Sequence, residues 1–133
     1  MVYAVIDTNV FVSAYLTHNL ASSTSKVVDL MFRGIIRPLY NEEIMAEYEQ
    51  VLSRPHFRID SEQLETLVAY IRKYGVATER TPFEALFADE DDRVFYEVAL
   101  TEDDSFLVTG NLKHYPVDPR VVTPAQMVAI LEH

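Results

Sequence analysis

Apolar residues follow two rhythms along this chain. The first is a short continuous run. Val2-Tyr3-Ala4-Val5-Ile6 is too brief for a buried helix and suits a strand covered on both faces, as in a parallel sheet. Ser105-Phe106-Leu107-Val108-Thr109 repeats that pattern, and Val121-Val122 gives a short last strand. Ile35 to Tyr40 contains Pro38, which cannot donate to a ladder, so it reads as a short or an edge strand.

The second rhythm is helical. Val10 to Leu16 forms the first such stretch, and Ser23 to Phe32 the next, with Val27, Val28, Leu30 and Met31 inward and Gly34 as its stop. Asn41 is a good N-cap for Glu42 to Leu52, which Arg54-Pro55 ends. Ser61 to Tyr74 places Leu64, Leu67, Val68 and Ile71 on one face, with Gly75 as cap. Asp92 to Leu100, capped by Asp91 or a neighbour, turns Val94, Phe95, Val98 and Ala99 inward. Thr123-Pro124 opens the final helix as N-cap and first helical residue. Val76 to Phe87 shows no clear period and holds at most a short strand. Strands alternating with helices predict an α/β fold: a three-layer α/β/α sandwich on a mainly parallel sheet, as one domain over residues 1–133.

Composition narrows the chemistry. The chain has no cysteine, which excludes disulfides, thiolate metal sites and a cysteine nucleophile. No apolar run approaches a membrane span and no basic leader precedes an apolar segment, so a cytoplasmic protein without a membrane partner is expected. Leu131-Glu132-His133 matches the head of a purification tag and is assigned no function. The net charge of −10 opposes binding to phosphates, but the charge is unevenly spread. Lys26, Arg33, Arg37, Arg54, Arg58, Arg72, Lys73 and Arg80 lie mid-chain, whereas acids crowd between Glu84 and Asp104 against Arg93 alone. Either these are solvated faces, or one region tracks phosphates while another gathers cations.

In a parallel sheet, Asp7 and Asn111 should emerge at the same carboxyl edge, where ligands of open α/β sheets sit. Crossover helices run antiparallel to the strands, which brings the helix starts at Asn41 and Asp92 to that edge, with Glu47 about one and a half turns in. Asp103 and Asp104 precede their strand and belong to the far edge. Carboxylates gathered at one edge need a counter-ion, since two like charges about 4 Å apart repel by roughly 4 kcal/mol at a dielectric of about 20. Oxygen-only donors select Mg²⁺ or Mn²⁺, and such ions support phosphodiester hydrolysis. Each residue has a structural alternative. Asp7 could cap a helix, and Glu47 and Glu49 flank the apolar stripe equally. Asp92 could simply complement a helix dipole within the run Asp89 to Asp92, and Asn111 could be a left-handed turn residue.

Four blocks sharpen the reading: Asp7-Thr8-Asn9 after the first strand; Glu47-Tyr48 through Val51-Leu52 to Arg54-Pro55; Asp92, Phe95 and Ala99; and Val108-Thr109-Gly110-Asn111-Leu112-Lys113-His114. Together they resemble a PIN domain, and the second and fourth resemble the branch assigned to toxins of bacterial toxin–antitoxin pairs. The resemblance implies a ribonuclease site in which Asp7, Glu47 and Asp92 hold Mg²⁺ or Mn²⁺. The fourth position, often an acid in the family, is Asn111, which lowers the site's charge. Thr8, Asn9 and Thr109 would orient the carboxylates, and Lys113 and His114 could meet a substrate phosphate. The implied partners are single-stranded or looped RNA, an antitoxin protein and a second copy of the chain. Two other functions compete: a non-catalytic protein-binding module, and an aspartyl-phosphate phosphatase with Asp7 as nucleophile and Lys113 as its lysine.

Overall fold

The first strand, β1 (Val2–Ile6), runs down the middle of the molecule, and Ala4, Val5 and Ile6 are all sealed from solvent. Successive side chains of a strand point to opposite faces, so burial of three in a row means that both faces are covered. A computed structural model describes residues 1–132; His133, and with it the end of the tag-like segment, lies outside the described residues.

Four further strands join β1: β2 (Ile36–Tyr40), β3 (Val76–Ala77), β4 (Phe106–Val108) and β5 (Val121–Val122). All pairings are parallel and the order is β3-β2-β1-β4-β5. Pro38 faces Ala4 of β1, while β3 reaches only Leu39 and Tyr40. The proline is thus tolerated inside an interior strand because no strand flanks its outer side at that position.

Six helices cover the sheet: α1 (Thr8–Leu16), α2 (Ser23–Phe32), α3 (Glu42–Leu52), α4 (Ser61–Tyr74), α5 (Arg93–Thr101) and α6 (Pro124–Leu131). The result is the three-layer α/β/α sandwich expected. Their ends are set by local chemistry. Asn41 Oδ1 accepts from the Ile44 amide at 2.8 Å to start α3, and Thr123 and Gln126 close a capping box on α6. Gly34, at φ +78°, ends α2 in a Schellman motif, with Gly34 N–H on Met31 O and Ile35 N–H on Leu30 O.

Two regions differ from expectation. Helix α1 starts at Thr8 rather than Val10, so Thr8 and Asn9 occupy its first turn. Helix α5 starts at Arg93, preceded by a 3-10 turn at Glu90–Asp92 that Asp89, not Asp91, caps by accepting from the Asp91 amide. Beyond β3 the chain to Phe87 is irregular, and long-range charges hold it. Buried Glu97 accepts from Arg80 Nε at 2.7 Å and from the Phe83 amide at 2.9 Å, while Arg93 donates to the Phe83 and Ala85 carbonyls.

Gly75, the α4 cap, is required by space rather than by dihedral, its φ being −76°. A β-carbon there would lie 2.5 Å from Ile71 O and 2.8 Å from Pro38 O, both backbone atoms that cannot swing away. Gly75→Ala is expected to destabilise the fold by roughly 1–3 kcal/mol, the usual range for overpacking. A urea melt with an unchanged midpoint would disprove the tight approach of α4 to β2.

Candidate active site

Asp7 leaves the end of β1 with its side chain 5% exposed. Three side chains converge on one of its oxygens: Thr109 Oγ1 and the Tyr115 hydroxyl each donate to Oδ2 at 2.9 Å, and Asn9 Nδ2 donates at 3.3 Å. Burial raises the carboxyl pKa, and the Thr109 and Tyr115 hydroxyls, with the Asn9 and Thr8 amides, oppose the rise. Asn9 also bridges outward, its Oδ1 accepting from the Gly110 amide at 3.1 Å. Asp7 is the N-cap residue of α1, without a side-chain capping hydrogen bond of ordinary geometry.

Glu47 is brought to the same place from α3. It is half-buried and accepts a short hydrogen bond from Thr8 Oγ1, whereas Glu49 is exposed. The structure thereby separates two glutamates that the helical wheel could not. Burial raises the Glu47 pKa, and the charges of Asp7, Asp92 and Asp91 push it further.

Asp92 stands at the junction of the 3-10 turn and α5. Its pKa is pushed up to about 6 by burial and by the charges of Asp7 and Asp89, with His114 acting in the opposite direction. His114 Nδ1 lies 3.2 Å from Asp92 Oδ2 but is not aligned to donate, so Oδ2 remains a buried oxygen without a hydrogen bond. Such an atom is unfavourable unless something else satisfies it. Asn111 belongs to this group indirectly: its Nδ2 is 2.9 Å from His114 Nε2 and its amide donates to Thr109 Oγ1 at 3.1 Å. With φ at −138°, Asn111 is not the left-handed turn residue its alternative reading required.

The three carboxylates therefore share one electrostatic neighbourhood. Among the described residues, no three His, Cys, Asp or Glu side chains stand together in a ready-made metal-holding arrangement. The donor chemistry nevertheless suits a hard cation, which prefers oxygen ligands, would relieve the mutual repulsion and would satisfy Asp92 Oδ2. Beside Glu47, a cleft of about 230 Å³ opens between α3 and the 89–94 segment, lined by Glu43, Gln50, Arg80 and Asp91 among others.

Tyr115 escaped the sequence reading. It lies one residue past the 3-10 turn Leu112–His114, is buried, and packs edge-on to Phe87 with ring centroids 6.3 Å apart. Nothing in a lone tyrosine before Pro116 signals an active-site contact. Three of the eight mid-chain bases are tied up in ion pairs rather than left as a free cationic track. Arg72 pairs with Glu42, Arg80 with Glu43 and Glu97, and Arg33 with Asp29. Lys113 makes no hydrogen bond or ion pair within the described residues, so the phosphatase reading finds no lysine held at Asp7.

The family model of the PIN domain matches residues 3–113, from β1 to the 3-10 turn beyond β4. No curated protein matches the chain. PIN domains are generally nucleases and typically metal-dependent. Since the match covers most of the sequence, and the strand order and parallel sheet agree with it, the chain belongs to the PIN domain family.

Proposed function

We propose that this protein is a Mg²⁺- or Mn²⁺-dependent endoribonuclease in which Asp7, Glu47 and Asp92 hold the cation and Asn111 stands as a neutral fourth group. The observation that carries this reading is a set of three partly or fully buried carboxylates, in which the Asp7 charge raises the pKa of both Glu47 and Asp92, around a buried, unbonded Asp92 oxygen. When bound, the cation supplies positive charge for the phosphodiester oxygens and for activating an attacking water. The protein's own groups do the rest. Thr109 and Tyr115 fix Asp7 and Thr8 fixes Glu47, while burial raises the pKa of all three carboxyl groups.

Single-stranded or looped RNA is the substrate class this reading favours, because the α/β/α sandwich offers no obvious helix or ribbon among the described residues for reading a duplex groove. Within the family, Arg54-Pro55 and Thr109 to His114 favour the toxin of a toxin–antitoxin pair, with an antitoxin protein and a second copy of the chain as partners. A second reading, a catalytically weak protein-binding module, draws on Asn111 and on the absence of a ready-made metal-holding trio among the described residues.

Purified protein is expected to cleave labelled single-stranded RNA with Mg²⁺ or Mn²⁺ but not in EDTA. Asp7→Asn and Asp92→Asn should each lose more than about 100-fold, beyond the effect typical of groups one shell removed from a metal. Cleavage that survives both substitutions would reject the assignment. No cleavage and no metal-induced rise in melting temperature would favour the binding module.

The raised Asp92 pKa also gives a stability signature. Its folded-state value exceeds the ordinary one, so the protonated form is favoured by folding and that contribution is lost as pH rises through about 6. In EDTA, Asp92→Asn should therefore melt higher than wild type at about pH 7.5, with the difference fading by about pH 4. Equal melting temperatures across that range would show that Asp92 is not strained by its neighbours.

A further inference from the structure

The hydroxyl groups on Asp7 are unevenly placed. Thr109, Tyr115 and Asn9 all donate to Oδ2, at 2.9, 2.9 and 3.3 Å, and among the described residues no side chain donates to Oδ1. A carboxylate held by three donors on one oxygen cannot rotate about its Cβ–Cγ bond without breaking at least two of them. Thr109 and Asn9 come from the ends of β4 and the start of α1, which the sheet already holds. Tyr115 comes from elsewhere, across the turn that carries Asn111 and His114, and closes that turn onto the end of β1.

We infer that Tyr115 is a positioning residue of the site: through Oδ2 it locks the Asp7 carboxylate so that Oδ1 is the oxygen presented to the cation. The inference rests on the proposed metal-dependent function and deepens it. A single presented oxygen suits Mg²⁺ and Mn²⁺, which are held by few carboxylate contacts in strict octahedral geometry. It also links the Asn111–His114 turn to Asp7, so that groups from opposite sides of the site keep a fixed spacing. The ring has a separate task, packing edge-on against Phe87 at 83°, so hydroxyl and ring can be tested apart.

The experiment is a Mn²⁺ titration followed by melting temperature, beside RNA cleavage, on wild type, Tyr115→Phe, Thr109→Val, Phe87→Leu and Asp7→Asn. Tyr115→Phe should keep most of its melting temperature in EDTA but need about 10-fold more Mn²⁺ for half its thermal shift, the scale known for groups supporting a metal ligand. Thr109→Val should move the midpoint in the same direction. Phe87→Leu should lower the EDTA melting temperature and leave the Mn²⁺ midpoint in place. The inference is overturned if Tyr115→Phe keeps the wild-type midpoint while Asp7→Asn abolishes the response, an outcome that leaves the metal site itself standing. It is also overturned if Phe87→Leu shifts the midpoint as far as Tyr115→Phe, because packing would then account for the effect. A wild-type protein without any Mn²⁺ response would overturn this inference and the proposed function together.

Discussion

The parallel pairing of β1 with β4, with Ile6 opposite Val108, is the constraint from which the rest of the site follows. Asp7 N–H donates to Val108 O at 2.9 Å, and Thr109 N–H donates in turn to Val122 O at 2.9 Å. The residue after each strand is thereby fixed beside its neighbour, and the Thr109 hydroxyl lands on the Asp7 carboxylate. A slip of one residue would turn Thr109 to the opposite face of the sheet and leave a buried carboxylate without that donor. The register is protected by the sealed apolar residues Val5, Ile6, Leu107 and Val108, so core packing and site geometry are specified by the same side chains.

That arrangement sets stability against chemistry. Asp7, Glu47 and Asp92 are each raised in pKa first by burial, and Asp7 raises the other two. A fold selected for stability alone would not gather unpaired acids at a sheet edge. The surrounding structure limits the penalty with donors that are themselves buried or tied down: Thr8 on Glu47, and Thr109 and Tyr115 on Asp7. Elsewhere the molecule treats buried charge in the ordinary way. Glu97 is neutralised by Arg80 and an amide, and that pair serves to hold the 80–83 segment rather than to react.

What the sequence made legible tracks the range of the interactions involved. Asp7 follows directly from a buried strand and the rule that ligands gather at the carboxyl ends of strands, whereas Thr8, Asn9 and Thr109 came with the family resemblance. Glu47 was set apart from Glu49 in the sequence only by the family pattern, because a helical wheel puts both on the flanks of one stripe; in the structure Glu47 accepts from Thr8 while Glu49 is exposed. Asp92 was read as the first residue of a helix that begins at Arg93, because the 3-10 turn Glu90–Asp92 was hidden inside four consecutive acids. The 78–89 segment carries no periodicity because its hold comes from Glu97 and Arg93, whose partners lie several to many residues away. Tyr115 was invisible for the same reason, its partner being 108 positions distant.

Asn111 alters the site by more than the loss of one negative charge. As its amide is oriented, Nδ2 donates to His114 Nε2, which leaves the neutral imidazole's proton on Nδ1, the nitrogen that faces Asp92. An acid at position 111 would instead accept from Nε2–H, leaving the neutral ring's bare Nδ1 lone pair against the Asp92 carboxylate or forcing the ring to become cationic. The amide therefore holds the ring with Nδ1 on the Asp92 side, 3.2 Å from Oδ2 but not aligned as a hydrogen bond. One fewer acid lowers the charge available to a second cation. Position 111 thus meets Asp92 only through His114, whose ring lies between the two side chains.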